Sequence, residues 1–173
     1  MRRMAPLKRL GHQIMRRCLR GARGQTLAEF AIVAPLFFLT IFGIVDFSRM
    51  VQTYVTMQHS AREGARYGVT GRTDCNAATP TRLNCINYVV HSQAGNLANQ
   101  ATALTISVQS WPFQAGGTFG TPVANSAGQQ CDAIEVKVQY DYHPMTPIIN
   151  KIIGTVPLHA TERLVNEPYG PCG

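Results

Sequence analysis

Gly24-Gln25-Thr26-Leu27-Ala28-Glu29-Phe30-Ala31-Ile32-Val33-Ala34-Pro35-Leu36-Phe37-Phe38-Leu39-Thr40-Ile41-Phe42-Gly43-Ile44-Val45 is the stretch from which the rest of the chain is read. Residues 30–45 contain no charge, and Asp46 closes the run. Extended back to Gln25, the segment holds one charge, Glu29. As a helix rising about 1.5 Å per residue it spans about 31 Å, the thickness of a bilayer's hydrocarbon. A carboxylate inside the run is unusual for a plain anchor. So is a glycine at the point where basic residues give way to it.

The residues before Gly24 form a basic leader. Arg2, Arg3, Lys8, Arg9, Arg16, Arg17, Arg20 and Arg23 are there, and no acid is. The formal net charge of +7 belongs to this leader, because the eight later basic residues are met by nine acids. The body of the protein is therefore near neutral, and its charge implies no nucleic acid as partner. A basic segment directly before an apolar helix is instead the positive-inside signal: N-terminus cytoplasmic, C-terminal part outside. Leu7, Leu10, Ile14 and Leu19 give the leader a faint amphipathic pattern but no apolar run. The apolar run exits into Ile44-Val45-Asp46-Phe47-Ser48-Arg49, which lacks a small-x-small cleavage site, so this is no ordinary secretory signal. Arg16-Arg17 is a weak match to twin-arginine export.

Cysteines follow the same division. Cys18 lies in the leader, on the reducing side. Cys75, Cys85, Cys131 and Cys172 form an even set beyond the apolar run, as expected for disulfides in an oxidising compartment. Three pairings exist, and Cys75–Cys85 with Cys131–Cys172 is preferred. No Cys-x-x-Cys occurs, and His12, His59, His91, His143 and His159 lack ligand spacing, so no metal is expected. No cofactor is implied either. Gly116-Gly117-Thr118-Phe119-Gly120 is followed by no Lys-bearing helix and reads as a loop, not a phosphate cradle.

Cleavage at Gly24 would remove the leader inside the cell and leave the apolar run as mature N-terminus, with Glu29 at its fifth position. With that arrangement, residues 24–36 resemble the start of TadE-like proteins, the minor pilins or pseudopilins of the tight-adherence (Flp) type IV pilus system. Ala61-Arg62-Glu63-Gly64-Ala65-Arg66 resembles the Ala/Arg-rich helix of that family, and Pro157-Leu158-His159-Ala160-Thr161-Glu162-Arg163-Leu164-Val165 its closing strand. The resemblance covers residues 24–68 and returns at the C-terminus; over 71–130 there is none.

It implies a pilin-like subunit cut between Gly24 and Gln25 by a prepilin peptidase, with Glu29 and Phe30 as motif residues. It also implies assembly with other pilins and with platform proteins of the pilus machinery in bacterial inner-membrane lipid, in a role connected with adhesion. In the family the carboxylate corresponding to Glu29 meets the α-amine of a neighbouring subunit. Physically, Gly24 offers a peptidase an unobstructed, easily extended bond. Glu29, near the mature end, sits at the interface beside the positive end of the helix dipole. The runner-up is a single-pass signal-anchored envelope protein with an extracytoplasmic binding domain; a cleaved secreted protein is third.

Pro35 removes a helical hydrogen bond, so a kink or loosened turn is expected, with Thr40 available to a freed carbonyl. Gly43 allows close helix packing. Beyond Asp46 the helix continues, with Phe47, Met50, Val51, Tyr54, Val55, Gln58, Ala61 and Ala65 as its packing face, and Gly68 and Gly71 ending it. Residues 81–97 predict a second helix weakened by Gly95. Residues 103–110 predict a strand, 111–130 a long hairpin loop, and 133–142 the clearest strand, with Ile134, Val136, Val138, Tyr140 and Tyr142 on one face. Glu135, Lys137, Gln139 and Asp141 take its wet face. Residues 148–153 predict a short apolar helix or turn, and a last strand holds Leu158, Ala160, Glu162 and Leu164.

The expected fold is α+β: a transmembrane helix continuing into a long amphipathic helix, packed on an antiparallel sheet of three or four strands. The divisions are 1–24 a cleaved cytoplasmic leader, 25–46 the membrane helix, 47–70 its extension and 71–173 an extracytoplasmic domain. No nucleophile elbow, His-Glu-x-x-His or suggestive carboxylate pair appears, so no enzyme is expected.

Overall fold

The computed structural model describes residues 8–97, 104–168 and 172, with side chains from residue 24 onward. The leader's side chains, Cys18 among them, and Ala103 at the head of the expected first strand lie outside the described residues. The chain divides into two compact units, Met1–Val45 and Asp46–Gly173. Helix α1 (Lys8–Val69) provides the described part of the first and opens the second.

Over residues 30–45 the helix is apolar on every side. Leu27, Phe30, Ile32, Leu36, Phe37 and Ile44 are all exposed. A helix apolar all round needs an apolar surrounding, either a protein core or lipid. Among the described residues, one helix, Gly24–Val69, is long and apolar enough to cross a membrane. Pro35 lies inside α1 without ending it. The Thr40 hydroxyl donates to Leu36 O at 2.9 Å, not to Ala31 O, the carbonyl left over by the missing N–H of Pro35. A Cβ at Gly43 would meet nothing within 4 Å.

The second unit is α+β. After residues 46–69 of α1 come α2 (Arg82–Ala94), β1 (Leu104–Trp111), β2 (Phe113–Gln114), β3 (Thr118–Phe119), β4 (Val123–Ala124), β5 (Ala133–Tyr142), α3 (Pro147–Ile153) and β6 (Val156–Val165). Thr81 caps α2, its side chain accepting from Asn84 N, and Gly95 at φ +55° ends it. An antiparallel sheet runs β4-β1-β5-β6. The 111–130 segment, expected as a long hairpin loop, forms a small β2–β3 hairpin and also supplies β4. The core joins Met57, Ala61 and Ala65 of α1, Ile86 and Val90 of α2, and the alternate residues Ile134, Val136, Val138, Tyr140 and Tyr142 of β5.

The buried face of α1 matches the expected one at Ala61 and Ala65 and departs from it nearer the apolar run. Phe47, Val51, Tyr54 and Val55 are exposed, while Met57, Ser60, Ala61, Gly64, Ala65 and Gly68 are buried. Small residues decide this. A Cβ at Gly64 would collide with Val90, and one at Gly68 would lie 2.7 Å from Ile134 Cδ1. Only side-chain-free positions let α1 approach α2 and the sheet this closely. Gly68 is thus a contact position, not a helix terminator. The turn falls to Gly71, at φ +67°, with its N–H donating to Gly68 O at 3.2 Å.

Arg82 closes the same end of α1. Its guanidinium donates to Gly68 O at 2.6 and 2.8 Å, to Gly128 O at 2.8 Å and to Asn166 Oδ1 at 2.7 Å. One planar fork thereby ties a helix end, a loop and the segment after β6. Disulfides Cys75–Cys85 and Cys131–Cys172 fasten the segments around it, with Cα atoms 5.5 and 5.8 Å apart. By loop closure alone they contribute about 3 and about 4 kcal/mol.

Glu135 was expected on the wet face of β5 and is instead 3% exposed. Gln109, Glu135 and Arg163 lie opposite one another across β1, β5 and β6. Glu135 accepts from Gln109 Nε2 and from the Arg163 guanidinium, and pairs with Lys137 at 3.0 Å. Arg163 also lies 4.1 Å from the Trp111 ring centroid. Burial pushes the Glu135 carboxyl up, but the hydrogen bonds from Arg163 and Lys137 outweigh it and hold it below its ordinary 4.5. A carboxyl lowered on folding stabilises the fold above its unfolded value, and that contribution is lost as pH falls through the folded value. The wild-type chain in detergent is therefore expected to lose more thermal stability than Glu135→Gln between about pH 6 and about pH 3. Parallel losses in the two melting series would remove Glu135 as the cause.

Candidate functional site

The expected site residues fall on one segment of α1. Gly24 is exposed, and a Cβ there would meet nothing within 4 Å. Its backbone is helical, so a peptidase acting on the Gly24–Gln25 bond must first unwind the local turn. Glycine, the weakest helix former after proline, makes that unwinding cheapest. Glu29 is exposed, and the Gln25 side-chain amide donates to its Oε1 at 3.3 Å. That contact spans one helical turn. Phe30 is 68% exposed. Above it, Phe37, Phe38 and Phe42 form a ring series with centroids 5.9 and 6.2 Å apart. The motif is thus a polar turn followed by unbroken apolar helix, presented outward throughout.

Asp46 has a role that sequence reading missed. It is 5% exposed. Its Oδ1 accepts from Met145 N at 3.1 Å, its Oδ2 from Thr146 N at 3.2 Å, and its backbone carbonyl accepts from the Tyr142 hydroxyl at 3.0 Å. Thr146 precedes α3 but makes no side-chain cap of its own. Asp46 therefore supplies an acceptor to the start of α3 from a hundred residues away. Only its place directly after the apolar run hinted at a special role.

A cavity of about 620 Å³ lies in the second unit between α1, the end of α2 and β5, and Arg49, Gln52, Thr56, Tyr140, Tyr142 and His143 are among its lining. It is polar, with one guanidinium and two phenols, and it presents no carboxylate to act as base. At its His143 wall, the Thr155 hydroxyl lies 3.2 Å from His143 Nε2, and Nδ1 of that ring lies 3.0 Å from Asp141 O. The carbonyl requires the proton on Nδ1, and the Thr155 hydroxyl can serve Nε2 as donor or acceptor. All three groups are exposed, and no carboxylate orients the ring. Among the described residues, no group of His, Cys, Asp or Glu side chains is arranged to hold a metal. The described histidines His59, His91, His143 and His159 are exposed.

Comparison with known proteins falls on the first of these sites. A family model described as TadE-like protein matches residues 24–66. Neither the curated proteins nor the solved structures contain a match to the chain. The matched region begins at Gly24 and ends on α1, before α2 and the sheet. Over residues 24–66, from the glycine at the head of the apolar helix to the small-residue face of that helix in the second unit, the chain is similar to TadE-like proteins.

Proposed function

We propose that this chain is a minor pilin or pseudopilin that assists assembly of a tight-adherence type IV pilus, matured by a prepilin peptidase between Gly24 and Gln25. The observation that supports it most is that the TadE-like match starts at Gly24, where the basic leader meets the apolar run. The protein is substrate to the peptidase and catalyses nothing itself. Its apolar helix anchors in inner-membrane lipid with the N-terminus cytoplasmic, consistent with the basic leader. The disulfide-bearing second unit is extracytoplasmic, consistent with the oxidised cysteines. The exposed stripe Phe47, Val51, Tyr54 and Val55 is suited to helix-to-helix packing with other pilins and with assembly-platform proteins.

Intact mass and N-terminal sequencing of the protein from its native membrane test this reading. A mature chain starting at Gln25 is expected. An intact Met1 chain in the membrane fraction would favour the signal-anchored envelope protein instead. Glu29 is proposed to meet the new α-amine of a neighbouring subunit. Glu29→Val should then insert normally, since Glu29 is exposed and bonded only across one turn. Its incorporation into pili should fall at least about tenfold, the effect of losing about 1.4 kcal/mol at a pairing step. Wild-type incorporation of this variant would remove the pairing role.

A further inference from the structure

Helix α3 buries none of its residues. Met145 just before it and Ile148, Ile152 and Ile153 within it are each at least 59% exposed. Ile148 and Ile152, one turn apart, share a face. Lys151 is exposed beside them. Such a cluster is costly in water and suits an apolar neighbour.

Where this cluster lies is set by Asp46. Its carboxylate receives Met145 N and Thr146 N, at the entry to α3. At the exit, Val156 pairs with Tyr142, whose hydroxyl donates to Asp46 O. Further along, a Cβ on Gly68 would touch Ile134. In the second unit, then, α1 runs from Asp46 to Gly68 beside β5 from Tyr142 back to Ile134. The α3 connection lies at the end of the sheet at which α1 enters. Asp46 follows Val45, the last residue of the apolar run. If that run fills the hydrocarbon, Asp46 is at its boundary and the entry to α3 lies one hydrogen bond away.

We infer that α3 is a second membrane contact: its exposed isoleucines lie in the headgroup–acyl boundary of the leaflet that α1 leaves, with Lys151 toward lipid phosphate. A short helix with one apolar face and a flanking cation enters that boundary by about 5–10 Å. The occupant is the lipid surface, because the patch is pinned to the residue at which the chain leaves lipid. The contact gives the second unit two attachments to the bilayer. This rests on the membrane-anchor reading of residues 25–45.

The test uses the full chain with its disulfides intact and Cys18→Ser, reconstituted in vesicles of phosphatidylethanolamine and phosphatidylglycerol. Single variants Ile152→Cys, Ile32→Cys and Val123→Cys carry an environment-sensitive fluorophore, and brominated lipids are the quencher. All three side chains are exposed, so the substitutions leave the fold intact. Val123 pairs with Ser110, which pairs with Ile134, about 27 Å along the sheet from Tyr142. Lipid quenching at position 152 within about twofold of that at position 32, with none at position 123, is the expected result. Quenching at 32 without quenching at 152 overturns the α3 contact and leaves the anchor standing. A label at 152 shielded from iodide yet untouched by brominated lipid means a protein covers the face, and also overturns it. Equal quenching at 123 and 152 reduces the effect to unspecific adsorption and overturns it as well. Absence of quenching at 32 sinks the anchor reading and α3 with it.

Discussion

Gly24→Leu is expected to accumulate as full-length, membrane-inserted precursor, with the mature form reduced at least about tenfold in an intact-mass measurement. The site itself has room for a larger side chain, since a Cβ there meets nothing within 4 Å. Leucine also favours a helix over glycine by about 1 kcal/mol, so the fold loses nothing. Two effects then act against cleavage. Unwinding the turn around the bond costs that same energy more, a factor of about five in the population of the extended form. A branched side chain also stands beside the carbonyl to be attacked. Since the substitution is neutral or favourable to the helix, any block comes from the cost of unwinding and from recognition of the unwound chain, and not from a lost fold. Maturation at the wild-type rate would show that processing does not occur at Gly24.

The second large effect is on stability and has no connection to processing. Gly64→Leu is expected to destabilise the second unit by about 3 kcal/mol or more, read as a lower urea midpoint in detergent. Helix propensity argues the opposite, because glycine within a helix is about 1 kcal/mol worse than leucine. The contact decides between them. A Cβ at Gly64 overlaps Val90 Cγ2, and a further atom of Val90 and one of Ile86 are 3.7 Å away. Val90 and Ile86 are fully buried. Val90 is β-branched and confined on its helix, so it cannot rotate clear. Either α2 moves off α1, opening the core, or side chains leave their rotamers. Val90→Ala should recover part of the loss in the double variant, which a propensity effect would not allow. An unchanged or higher midpoint for Gly64→Leu would mean that the α1–α2 approach is looser than the structure has it.

Periodicity revealed elements better than it revealed their faces. The alternation in residues 133–142 is strong because β5 is central in the sheet, with β1 on one side and β6 on the other. In α1 the same reasoning found Ala61 and Ala65 but misplaced the rest of the stripe: Phe47, Val51, Tyr54 and Val55 outrank Ser60 and Gly64 in hydrophobicity, yet the latter are buried. Burial there is governed by how near two backbones come, and smallness admits the approach. Glu135 shows a similar limit. A charge in an alternating strand reads as solvent-facing until Gln109 and Arg163, distant in sequence, arrive opposite it.

The sequence alone determined the features that depend on neighbours along the chain. These are the apolar helix with its basic leader, the glycine and carboxylate spacing at its head, an even cysteine set beyond it, and an α+β order of elements. Each is a matter of composition or short spacing, because helix length, charge asymmetry and strand alternation are local quantities. Tertiary structure decided which face of α1 is covered, that Arg82 closes the end of α1 with Gly128 and Asn166, and that Asp46 holds the entry to α3. Those contacts join residues tens of positions apart. Their energy comes from satisfying buried polar groups and filling space between elements, and neither quantity exists until the chain has folded.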